Sequence, residues 1–513
     1  MPDNHHDPNL AAAFHRQVEI DPDAPALVVD EDVWTRGELA AKADAAVHRL
    51  IDLGAATGGR VIAQYDTSAA DVALAVAAAH LGLVFIPVPK RLGTLEINHL
   101  MQRSNATLFA FRGEAPPAGV EPPDGARTVS VEWITATPAA TTADPVPRTS
   151  APRSEVALIG VTSGSTGQPK GVMHSWEAVD WAAERMRSLS DAQAGESILV
   201  TGAGAGAPGF TFFTYLGLTR GLTIVRAGHW DPVAVLRLAD KHKCVWTTMV
   251  PTMLYMLLEA REEALGVDGR LTHMRSATLG GSYISADLIQ RARRDLGVEI
   301  LRMYAMAECM AHSSNLLDHD EADRDVMDGT PGPDAELAVL DADRRPLPPG
   351  EIGEVAMRGP SLLKGYLADQ SEMERLLSPD GFFCSGDLGK ITEGGFVQIV
   401  GRKKDLIIRG GYNIDPAEVE ELIRKHHAVA KVIVVGYPDV KYGERACAVV
   451  EPHPDEHFDF DVMVSHLIGT GLSKEKLPER LEILDELPLS PDGKILRGKV
   501  QKLVAADESP ALA

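Results

Sequence analysis

The sequence is poor in cysteine and has no pair of cysteines at CxxC spacing. Cys244, Cys309, Cys384 and Cys447 are scattered along 513 residues. That pattern argues against a zinc ribbon or a disulfide frame and predicts free thiols in a reducing compartment. Excess positive charge is also missing. The formal net charge is −23 and is spread along the chain rather than held in a tail. Nucleic acid and anionic membrane would be repelled, so neither is an expected partner. The opening MPDNHHDPN lacks the apolar core of a signal peptide. One long apolar stretch, VALAVAAAHLGLVFIPVP at 72–89, is interrupted by His80, Gly82, Pro87 and Pro89. It reads as a buried helix followed by a buried strand and not as a membrane span. The expectation is a cytoplasmic protein. Repeats and heptads are absent as well.

What is present is enough apolar residue for large cores, 45% of a chain too long for one ordinary domain. Segments 34–54 and 95–105, like the first part of 72–89, read as helices and alternate with strand-like runs such as GRVIAQY at 59–65. This alternation implies an α/β fold with largely parallel sheets. A Pro/Ala/Thr-rich stretch at 136–152 reads as a linker or surface loop. The alternation resumes at 155 and runs to about 315. From 333 the texture becomes that of short antiparallel strands. From about 402 a small α+β unit is expected, with a helix at 416–426 and strands at 431–438 and 446–452.

Within the second stretch lies TSGSTGQPKG, residues 162–171. Gly164, Gly167 and Gly171 permit close backbone approach. Thr162, Ser163, Ser165 and Thr166 bring hydroxyls, and Lys170 brings a charge. Clustered donors with one cation suit polyphosphate. The run before it, EVALIGV, reads as a buried strand and the run after it, 175–189, as an amphipathic helix, so the loop is expected to join strand to helix. It is not a Walker A loop, because Gly171 follows the lysine where Ser or Thr would hold magnesium.

Five further motifs follow in order: GGS at 280–282, YAMAE at 304–308, GFFCSGDLG at 381–389, GRKKD at 401–405 and PLSPDGKILR at 488–497. Together with the loop, and over nearly the whole chain, they resemble the adenylate-forming superfamily. Its members include acyl-CoA synthetases, adenylation domains and luciferase-like enzymes, and the chain is most similar to the acyl-CoA synthetases. The resemblance implies a large N-terminal AMP- and acyl-binding domain, 1–401, of parallel αβ sheets with a small β-barrel-like subdomain. It also implies a small mobile α+β domain, 402–513, hinged near Lys404. ATP, Mg2+ and coenzyme A are the implied cofactors.

The resemblance also implies roles for single residues. Thr162, Ser163, Gly164, Ser165, Thr166, Gly167 and Lys170 hold the β- and γ-phosphates. Glu308 and Thr166 attend the metal. Gly280, Gly281 and Ser282 line the adenine, Tyr304 stacks on it, and Asp387 and Arg402 bind the ribose. Lys494 bridges the carboxylate and the α-phosphate. Gly410, Gly411 and Tyr412 line the coenzyme A tunnel. Three positions depart from the usual pattern: Ala307 stands where Thr precedes the glutamate, Ser385 stands for a common Thr, and Gly206 stands near an expected pocket histidine.

The stretch TGAGAGAPGFTFFTY, 201–215, has no charge. Its glycines, Gly206 among them, are read as opening space and its aromatics, Phe210 and Phe213 among them, as walls of an apolar acyl pocket. A plain helix start with the aromatics facing away is the alternative. The expected substrate is an apolar aromatic, alicyclic or medium-chain carboxylic acid, as in fatty acid metabolism. Two other activities stay open: loading of a carrier-protein phosphopantetheine, and non-catalytic nucleotide binding. The sequence leaves monomer and homodimer equally open.

Overall fold

The computed structural model describes residues 7–506 apart from 91, 137–154, 164–168, 203, 282–283, 410–411, 440–441 and 491–493. The expected linker at 136–152 therefore lies almost wholly outside the described residues. The chain divides into two compact units. One comprises 1–336 and 357–381, and the other 337–356 and 382–513.

The first unit holds two mixed sheets. In the nine-stranded sheet, Pro25–Val29, Thr223–Arg226, Ser197–Val200, Cys244–Met249, Ser276–Leu279 and Glu299–Met306 run parallel, in that spatial order. Antiparallel strands close both edges: Asp32–Thr35 at one, Cys309–Ser314 and then Thr330–Pro331 at the other. The seven-stranded sheet has Val84–Pro89, Arg60–Tyr65, Leu108–Phe111 and Arg127–Ser130 in parallel beside Leu158–Ser163. The 72–89 stretch resolves into the helix Ala69–His80 and the strand Val84–Pro89. Among the described residues no helix is long and apolar enough to cross a membrane.

One expectation is corrected here. The loop after Leu158–Ser163 leads into a second strand, Pro169–His174, and only then into the helix Trp176–Ser190. The two strands form an antiparallel hairpin in which Thr162 faces Lys170. PKGVMH has little intrinsic strand character. It is held extended because Leu158–Ser163 pairs with one side and Gly365–Tyr366 with the other, so tertiary pairing overrides propensity. Gly171 is required by this packing. A Cβ there would lie 2.8 Å from the Leu367 Cβ and 3.0 Å from Ile159.

The second unit contains most of a four-stranded sheet, Glu336–Leu340, Gly353–Arg358, Phe383–Ile391 and Val397–Arg402. It also contains a five-stranded sheet with the helices Pro416–Arg424, Phe460–Gly469 and Arg497–Ala506. The strand Val429–Asp439 is buried on both faces. Val432 and Val434 enter one core with Val419, Ile423 and Met463. Ile433 and Val435 enter another with Val500 and Val504. That is why KVIVV reads as a continuous apolar run rather than an alternation. The Asp415 side chain caps the helix Pro416–Arg424, and proline occupies its first turn. The compact units thus place the four-stranded sheet with the C-terminal segment.

Candidate active site

In the first unit, three segments far apart in sequence meet around Lys170. Glu308 sits with Ala307 at the tip between the antiparallel strands Glu299–Met306 and Cys309–Ser314, where Met306 pairs with Cys309. Its carboxylate accepts a 3.0 Å hydrogen bond from the Tyr366 hydroxyl. The Lys170 ammonium lies 5.6 Å from the centre of the Tyr366 ring and 2.5 Å from the Glu372 carboxylate. Burial pushes the Glu308 carboxyl above its ordinary range, and the Tyr366 hydrogen bond and the Lys170 charge only partly offset it. Tyr366 is itself raised by burial and by Glu308.

His174 ties the phosphate hairpin to this turn. It is fully buried, and its Nε2 lies 2.8 Å from the Ala307 carbonyl oxygen. Burial lowers its pKa to about 4, so at neutral pH the ring is uncharged and Nε2 carries the proton. The Thr that usually precedes the glutamate is replaced by Ala307, yet the Ala307 backbone is fixed from behind by this histidine.

The nominated adenine residues lie at the ends of neighbouring parallel strands. A Cβ on Gly280 would fall 2.8 Å from the Met303 carbonyl oxygen, and Gly281 has φ +83°. Glycine suits both positions, one by space and one by conformation. Tyr304 is buried and pairs with Ser313. Ser282 lies outside the described residues, as do Gly164, Ser165, Thr166 and Gly167, and so does the Ser163 side chain.

The glycines of 201–215 do not act alike. Gly206 has φ +80°, and among the described residues no atom beyond its chain neighbours lies within 4 Å of a Cβ built on it. Gly204 and Gly209, by contrast, are packing residues. A Cβ on Gly204 would meet the Thr67 hydroxyl, and one on Gly209 would lie 2.9 Å from Gly204. Gly202, like Gly206, meets no described atom within 4 Å of such a Cβ, and of Gly204, Gly206 and Gly209, all expected to open space, only Gly206 does so. Residues Phe210–Tyr215 form a π-helical turn, a distortion common at functional sites. The Phe210 ring packs 5.8 Å from Tyr65 and 5.6 Å from Phe85, and Phe213 packs 6.2 Å from Trp246. Both rings are enclosed by the core. The Tyr215 hydroxyl donates 2.9 Å to Asp180.

In the second unit, Asp387 and Arg402 are register partners on adjacent antiparallel strands and form a 2.9 Å ion pair. Asp387 is buried, whereas the Arg402 side chain is 57% exposed. Ser385 donates to the Val355 carbonyl at 2.6 Å and accepts from the Asp387 N–H, so the Ser/Thr departure keeps a fixing hydroxyl. Glu354 accepts from the Gly386 N–H and pairs with Lys403 at 3.0 Å. The Lys404 backbone lies in the single 3-10 turn Lys403–Asp405. Asp405 lies 3.6 Å from Arg497, which also binds Glu420 at 2.6 Å. Arg409 pairs with Glu479 and covers the Tyr442 ring. Gly410 and Gly411 lie outside the described residues, and Tyr412 is placed by its backbone at the start of a short strand. Lys494 is exposed. Its N–H donates to the Ser490 hydroxyl at 3.0 Å and its carbonyl accepts from the Ser490 N–H.

Sequence reading missed Tyr366, Glu372, His174 and Glu354. Tyr366 and Glu372 contact nominated residues directly, while His174 and Glu354 contact their chain neighbours Ala307, Gly386 and Lys403. The separations are 58 residues for Tyr366–Glu308 and 202 for Lys170–Glu372, and no local pattern announces them.

Comparison with known proteins identifies the family. The model of the AMP-binding enzyme family matches residues 14–367, and that of the AMP-binding enzyme C-terminal domain matches 418–494. A feruloyl-CoA synthase from an Amycolatopsis species is 30% identical over 494 residues, 95% of this chain and 97% of that protein. The fatty acid–[acyl-carrier-protein] ligase ScoC of Streptomyces coeruleorubidus is 29% identical over 97% of this chain and 98% of its own. The crystal structure of ATP-bound MatB from Rhodopseudomonas palustris superimposes with a TM-score of 0.85 at 26% identity, covering 96% of this chain and 98% of that one. With its family model spanning well over half the sequence, the chain belongs to the AMP-binding enzymes of the adenylate-forming superfamily.

Proposed function

We propose that the protein is an ATP-dependent acid–thiol ligase that makes an acyl-CoA through an acyl-adenylate. The observation that carries this reading is the assembly of Lys170, Tyr366 and Glu308 beside the phosphate hairpin. In the first step a carboxylate oxygen bonds to the α-phosphorus of ATP and pyrophosphate leaves. In the second the coenzyme A sulfur bonds to the acyl carbon and AMP leaves. Bringing one anion onto another needs placed positive charge above all. Lys170 supplies it at the β- and γ-phosphates and Lys494 at the α-phosphate and carboxylate. Asp387 and Arg402 hold the ribose. The segment with Gly410, Gly411 and Tyr412 lines the path of the coenzyme A thiol.

Magnesium fits the residues present. The Glu308 carboxyl is pushed up by burial and has no cation within ion-pair distance among the described residues. The described residues hold no cluster of three or more acidic, histidine or cysteine ligands. One carboxylate with phosphate oxygens and water completing the shell is the usual way magnesium is held. When bound, it supplies charge against the phosphate oxygens.

The acid is an apolar one, and the open side of Gly206 is the feature that admits its body. An aromatic acid accords with the feruloyl-CoA synthase relative. Replacing Gly206 by Trp is expected to cut activity on bulky acids while sparing short ones. Because any side chain at φ +80° is strained, Gly206→Ala is the reference. A Trp effect equal to the Ala effect on every acid would place the pocket elsewhere.

Asp387→Ala is expected to weaken ATP and AMP alike, by about ten- to a hundredfold, since a ribose contact is uniform binding and a charged hydrogen bond contributes about 1.5–3 kcal/mol. Titration of both nucleotides checks this, and unchanged affinity would remove Asp387 from the site.

The resemblance to an acyl-carrier-protein ligase supports a second acceptor, a carrier-bound phosphopantetheine. Offering coenzyme A and a holo-carrier with ATP and a panel of acids, and measuring which thiol is acylated, separates the two. Acylation of the carrier alone would replace the acyl-CoA reading.

A further inference from the structure

Lys170 is already engaged. Its ammonium sits 2.5 Å from the Glu372 carboxylate, with 35% and 21% of the two side chains exposed. Glu372 lies in the first turn of the helix Gln370–Leu376, where its N–H is capped by Asp369 at 3.1 Å. The helix begins four residues after Tyr366, whose ring faces the same ammonium. One lysine is therefore shared among a carboxylate, an aromatic face and the neighbouring Glu308. Polyphosphate and Glu372 are both anions that compete for it, and neither can hold it fully while the other does.

We propose that Glu372 is a positioning residue for the phosphate lysine: it holds Lys170 when no polyphosphate is bound and takes the ammonium back as pyrophosphate leaves. This rests on the phosphate role proposed for Lys170. The pair keeps an otherwise long and mobile side chain beside Tyr366 and Glu308, ready for the phosphates. It also opposes both ATP entry and pyrophosphate retention, so its removal tightens both ligands together. A half-exposed ion pair of this kind is worth about a two- to fivefold effect.

The test is calorimetric titration of ATP and of pyrophosphate, with no turnover needed, into the wild type, Glu372→Gln, Lys170→Met and the double variant. Glu372→Gln is expected to bind both ligands about two- to fivefold more tightly and to release pyrophosphate more slowly. In the Lys170→Met background the same change should have no such effect, because the competition has been removed. Glu374→Gln, an exposed acid on the same helix, controls for a general change of local charge and should leave both affinities unchanged. If Glu372→Gln leaves the affinities unchanged or weakens them, or changes them equally without Lys170, the inference fails. Unchanged polyphosphate binding in Lys170→Met would sink the phosphate role of the lysine itself.

Discussion

Lys494→Ala is expected to lose adenylate formation by about a hundred- to a thousandfold, the usual cost of removing one pre-organised charge from a developing anionic transition state. The second half-reaction should survive. Supplied with synthetic acyl-adenylate, the variant should still form acyl-CoA at near the wild-type rate, because the lysine acts only while carboxylate and α-phosphate come together. The Lys494 side chain is solvent-exposed on a turn closed by Ser490, so truncating it removes no core packing and the fold should persist. Acid-dependent pyrophosphate exchange reads the first step and thioester formation from acyl-adenylate the second. Equal loss in both assays would make the lysine structural and end its catalytic assignment.

Lys404→Pro is expected to show the reverse split, retaining adenylation and losing thioester formation by an order of magnitude or more. On the proposed mechanism one small domain presents Lys494 in one step and the segment around Tyr412 in the other, which calls for a pivot that absorbs a large φ/ψ change. Lys404 follows the strand Val397–Arg402 in a single 3-10 turn, whose φ is close to the value that proline imposes. A proline there fixes φ near the value the turn uses and so restricts any large change at this residue. Substitutions at Arg402 and Asp405 should not produce this split, since neither is the pivot. An intact second half-reaction in Lys404→Pro would refute rotation about this residue.

The family and the fold class were legible in the sequence because the motifs that carry the resemblance are written locally. The phosphate loop, the glycine pair 280–281 and the Asp387 and Lys494 motifs each occupy a few consecutive residues. The fold class followed from the alternation of helical and strand-like runs. Three things were not legible, for physical reasons. PKGVMH forms a strand only because neighbours pair with both of its edges. The glycines of 201–215 look identical on paper, yet Gly204 and Gly209 are packed against Thr67 or backbone while Gly202 and Gly206 face open space. Tyr366, Glu372, His174 and Glu354 are brought to the nominated residues or their chain neighbours by tertiary packing across tens to hundreds of residues, which local patterns do not encode.

The most direct measurement follows an oxygen atom. A turnover-competent acid labelled with 18O in its carboxylate is incubated with enzyme, ATP and coenzyme A, and the products are examined by mass spectrometry. If the carboxylate attacks the α-phosphorus and the thiol then attacks the acyl carbon, one labelled oxygen must leave with AMP for each acyl-CoA formed, and pyrophosphate must stay unlabelled. Label in inorganic phosphate with ADP as co-product, or acyl-CoA formed with unlabelled AMP, would contradict the acyl-adenylate route.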